Sequence, residues 1–191
     1  MNITIIQGHP DGGGAHLCHA LADAYCKGAR SGGHSIRVVD IGKTPFPLLR
    51  TKDEFEHGAV PAELSDAREA IAWANHLVLI YPLWLGEMPA IVKGFLEQVL
   101  RPGFAFDVSG KGWSPKLRGK TARVVVTMGM PATVYRWYFG AHGLRSLRRN
   151  ILSFVGIKPV RSTLLGLVES ASAKRKARWL ANLEKLGAAA H

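Results

Sequence analysis

The sequence predicts an α/β fold in which a parallel β-sheet is covered by helices on both faces. Five short apolar runs are rich in β-branched residues, which is typical of buried strands. Segments with apolar residues at helical spacing separate these runs. Strict alternation of strand and helix favours parallel strands joined by crossover helices. A chain of 191 residues, 47% of them apolar, is expected to form one domain over residues 1–191.

Each predicted element follows from a local pattern. The strands are residues 3–6, 35–40, 76–81, 122–127 and 158–164. Five predicted helices lie between or after them, and Pro89 occupies a favoured first-turn position of the third. Their apolar positions are Leu17, Leu21 and Ala24; Ala67, Ile71 and Ala74; Ile91, Phe95 and Val99; Leu144, Leu147 and Ile151; and Ala173, Ala177, Leu180 and Leu183.

Two connections are longer than a simple link between a strand and a helix. Residues 42–63 hold three prolines and show weak periodicity, and residues 101–120 are rich in Gly, Lys and aromatics. Loops of this length in a compact domain are usually functional or mobile. The second loop has the pattern of a small hairpin, with one arm at residues 104–106 and a turn at 109–112.

The charge is distributed unevenly. The chain has a formal net charge of +11, but residues 1–110 carry −3 and residues 111–191 carry +14. Such asymmetry indicates an anionic partner, which leaves nucleic acid, a membrane, a nucleotide or a protein open. A phosphate-contacting face for nucleic acid would draw on Arg145, Arg148, Arg149, Lys174, Arg175, Lys176 and Arg178. No nucleic-acid recognition motif accompanies these charges, so a solvated helical face is the favoured interpretation and no nucleic-acid partner is expected.

Several classes are disfavoured by composition. The longest apolar run, residues 77–85, is too short to span a bilayer, and the first residues lack the basic region of a secretory signal. Cys18 and Cys26 would lie about 12 Å apart in one helix, beyond disulfide reach. With no other cysteine and no helical histidine pair, a metal site has no support. These features predict a cytoplasmic protein.

The first predicted strand runs into a glycine-rich loop, Gly8-His9-Pro10-Asp11-Gly12-Gly13-Gly14-Ala15-His16, followed directly by a helix. Glycine permits close backbone approach, and the N-terminus of a helix presents free N–H groups to an anion. The loop therefore has the features of a phosphate cradle. It matches neither Gly-x-Gly-x-x-Gly nor a P-loop, so a flexible connection remains the alternative.

Two further loops follow strands at the same expected edge of the sheet. Residues 81–97 place Trp84 and Leu85 directly after the third strand, where they would cover a flat ring system or else pack in the core. The fourth strand ends at residues 127–131, followed by Tyr135 and His142. A tyrosine and a histidine in such a loop could stabilise negative charge or move a proton. Three loops would thus meet the needs of a nucleotide-like aromatic cofactor.

These loops resemble those of the flavodoxin-like NAD(P)H:quinone oxidoreductase family of the DT-diaphorase, modulator-of-drug-activity and potassium-efflux ancillary type. The likeness extends over almost the whole chain. It is strongest in Gly8-His9-Pro10 with His16, in Thr127-x-Gly129 with Tyr135 and His142, and in the long motif Tyr81-Pro82-Leu83-Trp84-x-Gly86-x-x-Pro89-Ala90-Ile91-x-Lys93-Gly94-Phe95-x-Glu97. The resemblance implies a three-layer sandwich with strand order 2-1-3-4-5 and a flavin, FMN or FAD, at its carboxyl edge.

The resemblance also implies site residues and an activity. His9, Gly14, Ala15 and His16 would hold the flavin phosphate. Hydride would pass from NAD(P)H through the flavin to a quinone or similar acceptor in a ping-pong cycle, with Tyr135 and His142 stabilising the reduced ring and relaying a proton, in a homodimer. The ring itself would lie between Pro82, Leu83, Trp84, Leu85 and Gly86 on one side and Thr127, Met128, Gly129 and Met130 at its pyrimidine edge.

The sequence departs from the family pattern at three points. Glycines stand where many relatives have Ser or Thr in the phosphate loop, residues 127–130 read Thr-Met-Gly-Met where DT-diaphorase has Thr-Thr-Gly-Gly, and the spacing from Tyr135 to His142 is one residue longer. The family also includes regulatory flavoproteins of glutathione-gated potassium efflux systems. A subunit that docks on such a membrane transporter is therefore the alternative function.

Overall fold

The computed structural model describes residues 1–109 and 112–191. A five-stranded parallel sheet in the order β2-β1-β3-β6-β7 forms its centre, and a two-stranded hairpin, β4-β5, lies apart from it. The strands are β1 (Asn2–Gln7), β2 (Ser35–Asp40), β3 (His76–Pro82), β4 (Phe106–Ser109), β5 (Gly112–Pro115), β6 (Thr121–Met128) and β7 (Val160–Gly166). The helices are α1 (Leu17–Ser31), α2 (Lys52–His57), α3 (Ser65–Trp73), α4 (Ala90–Val99), α5 (His142–Ser146) and α6 (Ala173–Ala188).

All five predicted strands of the main sheet are confirmed, and counted along that sheet their order is the expected 2-1-3-4-5. Pairing is parallel throughout: β1 pairs with β2 and β3, and β6 pairs with β3 and β7. Parallel strands place their carboxyl ends at one edge. The loops that follow Gln7, Pro82 and Met128 therefore begin side by side.

Side chains that alternate along the strands pack into two hydrophobic cores, one on each face of the sheet. On β3, Leu77 and Leu79 point into the core shared with α3 and α4, while Val78 and Ile80 point into the core shared with α1 and α6. Helices therefore cover both faces, as the alternation of strands and helices predicted. None of the helices in the described ranges has the length and hydropathy that crossing a membrane requires.

The connection at residues 42–63 holds a short helix that the periodicity did not predict. In α2 the Thr51 hydroxyl accepts a hydrogen bond from the Glu54 N–H at 3.1 Å. The pattern Thr-x-x-Glu is a known signature of a helix start, so the signal was present in the sequence. The same connection packs against α4, where a methyl group on Gly94 would come 2.5 Å from Leu48 Cδ2.

Two turns of π-helix, Val134–Tyr138 and Leu147–Leu152, flank α5, the region of the fourth predicted helix. Their wider i→i+5 hydrogen bonds include Phe139 N to Val134 O at 3.1 Å. Such turns are rare and frequently occur at functional sites. The predicted hairpin is present as β4 and β5, although its first arm begins at Phe106; residues 110 and 111 of its predicted turn lie outside the described residues.

Candidate functional site

Backbone hydrogen bonds fix the three loops at the carboxyl edge of the sheet. The Gly8 N–H donates to the Ile80 carbonyl at 2.7 Å, so the first loop leaves its strand in contact with β3. The Leu83 N–H donates to the Thr127 carbonyl, also at 2.7 Å. These bonds bring together three features, as the sequence predicted: the glycine-rich loop, the end of β6 and the turn at residues 84–87, which we call the Trp84 turn.

The N-terminus of α1 is open to an anion. No side chain caps the helix at His16, and its first turn contains no acidic residue. The first N–H groups of a helix lack intrahelical partners and lie at the positive end of the helix dipole. The start of α1 thus offers backbone donors and a favourable field to a phosphate group.

Three imidazoles surround this helix start. The rings of His9 and His16 are stacked with their centroids 3.8 Å apart, and the His19 ring lies 5.7 Å from His9 and 5.8 Å from His16. Burial lowers the pKa of His9, and the neighbouring His16 lowers it further. Within the described chain, no group of three His, Cys, Asp or Glu residues is arranged to hold a metal ion. Imidazole N–H groups can donate hydrogen bonds to an anion bound at the helix start.

The Asp11 carboxylate organises the loop. One oxygen accepts a hydrogen bond from the Gly13 N–H at 2.9 Å, and the other lies 2.8 Å from His16 Nε2. These interactions, the bond to His16 first, lower the pKa of Asp11. A methyl group on Gly14 would come 2.7 Å from this carboxylate and collide with the His16 ring. An alanine at position 14 would therefore displace the ends of the His16 and Asp11 side chains from this arrangement.

Two side chains near the loop carry buried polar atoms without a partner among the described residues: both ring nitrogens of His19, and Nε2 of Gln7. The oxygen of the Gln7 amide does have a partner, because it accepts a hydrogen bond from the His9 N–H at 2.7 Å. Buried polar atoms without partners are rare and mark a place where a ligand or water is expected. Sequence reasoning missed both residues, since each looks like an ordinary strand or helix position.

The turn after β3 exposes its apolar side chains. Trp84 and Glu87 exchange two backbone hydrogen bonds of 2.9 Å, and the two residues between them, Leu85 and Gly86, have φ values of 49° and 83°. Trp84 is 52% exposed and Leu85 is fully exposed. Trp84 and Leu85 are therefore not core residues. Pro82 and Leu83 are half-buried just behind them.

The end of β6 offers mainly backbone to the site. Thr127 and Met128 are buried, and the Thr127 hydroxyl lies 3.3 Å from Cys18 Sγ beneath the loop. Met130 is half-buried, and its carbonyl accepts from the Leu167 N–H at 3.1 Å. Only Gly129 is exposed. Any contact from residues 127–129 to a ring would thus use main-chain N–H and C=O groups.

The two predicted catalytic residues, Tyr135 and His142, differ in burial. Tyr135 is buried; its hydroxyl accepts from the Leu144 N–H at 3.2 Å and donates to the Gly86 carbonyl at 3.4 Å. His142 is exposed, and its ring folds back over Gly140, where a methyl group would come 2.8 Å from Nε2. No hydrogen bond joins His142 to Tyr135 in the described part of the chain. Of these two residues, only Tyr135 forms a hydrogen bond with the Trp84 turn in the described part of the chain.

Sequence reasoning missed a further polar side chain, that of Glu87, which lies beside Gly143. A methyl group on Gly143 would come 2.6 Å from Glu87 Oε2 and from the Gly86 carbonyl. The Glu87 carboxylate therefore packs against the start of α5, and glycine at 143 makes room for it. Glu87 lies among apolar neighbours inside the long motif, so nothing in the sequence pattern marked it as a residue of the site.

The donors and surfaces at this edge fit a flavin. An uncapped helix start, three imidazoles and the unpaired Gln7 amide would receive a phosphate. The exposed Trp84 turn and the backbone at Gly129 would receive a flat heteroaromatic ring at the same edge of the sheet. An anion site joined to an apolar wall is the combination that a flavin mononucleotide unit needs.

The chain belongs to the Flavodoxin_2 family, described as a flavodoxin-like fold, which it matches over residues 1–187. It is similar to an uncharacterized NAD(P)H oxidoreductase of Haemophilus influenzae, with 25% identity over 201 residues that cover 97% of this chain and 99% of the relative. An FMN-dependent NADH:quinone oxidoreductase of Nitratidesulfovibrio vulgaris is 28% identical over 204 residues, 91% of this chain and 92% of the relative.

Solved structures confirm the fold. The NAD(P)H:quinone oxidoreductase from Methanothermobacter marburgensis superposes with a TM-score of 0.85 at 23% sequence identity. The superposition covers 100% of this chain and 99% of the other. The α/β fold of the two proteins is thus the same.

Proposed function

We propose that this protein is a flavin-dependent NAD(P)H oxidoreductase that reduces a quinone or a similar small aromatic acceptor. The observation that carries the proposal is the pairing of the imidazole-lined helix start with the exposed Trp84 turn at one edge of the sheet. Family membership and the names of the two relatives, both NAD(P)H or NADH oxidoreductases, support the same reaction class.

The phosphate of the flavin would be held by His9, Gly14, Ala15 and His16, with Gln7 and His19 added from the structure. Backbone N–H groups at the start of α1 supply charge-compatible donors, and the imidazole N–H groups of the cluster add further hydrogen-bond donors. FMN is the form that the Nitratidesulfovibrio relative's name supports.

The ring would lie against the turn formed by Pro82, Leu83, Trp84, Leu85 and Gly86, with Thr127, Met128, Gly129 and Met130 at its pyrimidine edge. When bound, the flavin supplies two-electron hydride transfer, accepting from NAD(P)H in one half-reaction and giving to the acceptor in the next. The chain's task is to orient the ring, exclude water from one face and leave the other face open to both substrates in turn.

Tyr135 and His142 would handle the proton that accompanies this transfer. The bond from Tyr135 to the Gly86 carbonyl is long at 3.4 Å, so the hydroxyl proton can be redirected to a ligand oxygen. The exposed His142 would exchange a proton with solvent next to it. The two residues thereby stabilise negative charge in the reduced state and deliver a proton to the acceptor.

A homodimer with sites at the subunit interface is the assembly we propose. Large aromatic side chains lie exposed beside the site, with Trp137 and Tyr138 about four-fifths accessible. An apolar groove of about 300 Å³ lies near the hairpin, between Phe55, Phe106 and Phe154. Exposed aromatic side chains and apolar grooves are characteristic of protein contacts. No observation favours the alternative, docking on a potassium-efflux transporter.

Two general features complete the proposal. We infer one domain for residues 1–191, because helices from both halves of the chain pack on the same sheet. We also infer a cytoplasmic location, supported by two buried cysteines, Cys18 and Cys26, that are unpaired. Unpaired thiols are characteristic of reducing compartments.

The test is a titration of the purified protein with FMN, FAD and riboflavin, followed by anaerobic reduction. We expect NAD(P)H to bleach the bound flavin absorbance and a quinone to restore it. Failure to bind any flavin would refute the proposal.

A matched pair of variants locates the cradle. Gly14→Ala is expected to weaken FMN binding at least tenfold, because the new methyl group collides with His16 and Asp11. Gly13→Ala is the control, since its methyl group would lie 3.5 Å from the nearest heavy atom and should change binding less than twofold. Equal effects of the two substitutions would place the phosphate elsewhere.

A further inference from the structure

The basic half of the chain contains a groove that the flavin site does not use. It has a volume of about 360 Å³ and is lined by Arg145, Arg148, Arg149, Ser153 and Val160. Val160 is the first residue of β7, so the groove reaches towards the amino ends of the strands. The candidate flavin site lies at the carboxyl ends. We refer to this second feature as the arginine groove.

The three guanidinium groups lie on one side of the same helical segment. Arg145, Arg148 and Arg149 have i, i+3 and i+4 spacing, and all three side chains are exposed. Like charges at this spacing destabilise a helix. Such a cluster is stabilised when an anion lies between its members.

No carboxylate of the described chain neutralises the arginine groove. Among the described residues, the ion pairs of Asp and Glu are made by lysines and one histidine, and none by an arginine. Residues 108–168 contain eleven Lys and Arg and no Asp or Glu. The positive field around the groove therefore comes from a long stretch of chain without an opposing charge.

The backbone beneath the groove departs from a regular α-helix. Arg148 and Arg149 belong to the π-helical turn Leu147–Leu152, which closes with a hydrogen bond of 2.9 Å from the Ser153 N–H to the Arg148 carbonyl. Ser153, which closes this turn, lines the same groove as the two arginines. π-turns are frequent at functional sites.

From these observations we propose that the arginine groove binds a small ligand that carries two or more phosphate groups, such as a diphosphate or a nucleoside polyphosphate. Guanidinium groups bind phosphate oxygens through pairs of parallel hydrogen bonds, and three of them match a ligand with several such oxygens. The volume lies within the range of small-molecule sites. The Ser153 hydroxyl supplies a further donor, and Val160 an apolar wall.

The experiment uses inorganic pyrophosphate as the probe, titrated calorimetrically into the full-length protein at low ionic strength, with and without saturating FMN. Wild-type protein should bind pyrophosphate equally in both cases. Arg148→Gln/Arg149→Gln should weaken this binding at least tenfold. The control Lys174→Gln/Arg178→Gln removes the same charge from exposed positions on α6 and should change it less than twofold.

Several outcomes would overturn the proposal. Equal weakening in both double variants would mean that net charge, not the groove, attracts the probe. Displacement of FMN by pyrophosphate would place the probe in the phosphate loop. Tighter binding of an oligonucleotide than of pyrophosphate, lost in the groove variant, would assign the surface to nucleic acid. Because all four substituted side chains are exposed, unchanged urea denaturation is expected and verifies that each variant is folded.

Discussion

The hydroxyl of Tyr135 accepts a hydrogen bond from the Leu144 N–H at 3.2 Å across a nine-residue loop. It donates to the Gly86 carbonyl, so one buried side chain joins the Trp84 turn to the start of α5. Burial raises the pKa of Tyr135, and the phenol therefore stays protonated at neutral pH. The same residue can support the fold and keep a proton available beside the ring site.

Tyr135→Phe tests both roles. The substitution leaves the Leu144 N–H without its acceptor in a buried position, so the free energy of unfolding should fall by about 1–2 kcal/mol in urea denaturation. Oxidation of the reduced enzyme by quinone should slow about tenfold. Tyr138→Phe is the control, because that exposed hydroxyl lies on the same π-turn; equal effects of the two would contradict the assignment.

His142→Gln separates chemistry from stability. Because His142 is exposed, the free energy of unfolding should stay within about 0.5 kcal/mol of wild type. In stopped-flow measurements the reaction with quinone should slow about tenfold, while reduction by NAD(P)H keeps its rate. The exposed His57 on α2 provides a control as His57→Gln. Equal slowing of both half-reactions would argue against a proton-delivery role.

The imidazole cluster predicts a pH-dependent affinity for the flavin phosphate. In the free protein, burial and the neighbouring His16 lower the pKa of His9, which is then mostly neutral at pH 7. A bound phosphate favours the protonated ring, so binding takes up a proton and strengthens as pH falls from 8 to 6. Fluorescence titration should show FMN affinity rising about three- to tenfold over this range. Riboflavin, which lacks the phosphate, should show no such rise.

A second histidine predicts how stability depends on pH. His76 is buried on β3, its Nδ1 lies 2.6 Å from the Thr121 hydroxyl, and its Nε2 has no partner among the described residues. Burial, and then the charge of Arg123, lower its pKa to about 4. The unfolded chain binds this proton below about pH 6.5 and the folded chain does not, so stability is present above that pH and falls between 6.5 and 4.

The expected loss from this one group is about 3 kcal/mol between pH 7 and pH 4. Urea denaturation at several pH values measures it. His76→Gln should flatten that part of the profile, whereas His57→Gln, on an exposed side chain, should leave it unchanged. A profile as steep in His76→Gln as in wild type would show that carboxylate protonation causes the loss instead.

Pattern in the sequence was sufficient for the sheet but not for the details of the site. Runs such as residues 77–81 are apolar at every position because both faces of a parallel strand are buried, so composition and length identify them. The helix α2 was missed since six residues carry little periodicity, although Thr51 and Glu54 signalled it. His19 and Glu87 act through three-dimensional proximity to His9 and Gly143, which a linear pattern does not contain.

The Trp84 turn illustrates the same limit. Its motif identified the ring site, yet whether Trp84 and Leu85 are buried depended on backbone angles that their residue types do not indicate. Leucine rarely adopts φ near 49°, and the sequence alone favours burial for it. Local strain of this kind persists where function requires it and is visible only in the structure.

The substitution Leu85→Asn measures the free-energy cost of the positive φ at this position. The left-handed conformation costs a non-glycine residue roughly 1–2 kcal/mol, and asparagine tolerates it better than leucine. Because the Leu85 side chain is fully exposed, its removal loses no packing within the protomer. The flavin-free protein should therefore gain about 0.5–1 kcal/mol in urea denaturation. If Leu85 is retained because it contacts the flavin or a second subunit, the same variant should bind FMN or dimerise several-fold more weakly.

Val108→Asn is the control for the expected gain in stability of Leu85→Asn. Val108 is also apolar and exposed, but it lies in β4 without a positive φ, so asparagine relieves no strain there and should give no gain in stability. A gain in both variants would trace the effect to loss of an exposed apolar group. A gain in Leu85→Asn alone, with unchanged FMN affinity and unchanged sedimentation, would mean that the strained turn serves neither the cofactor nor the interface.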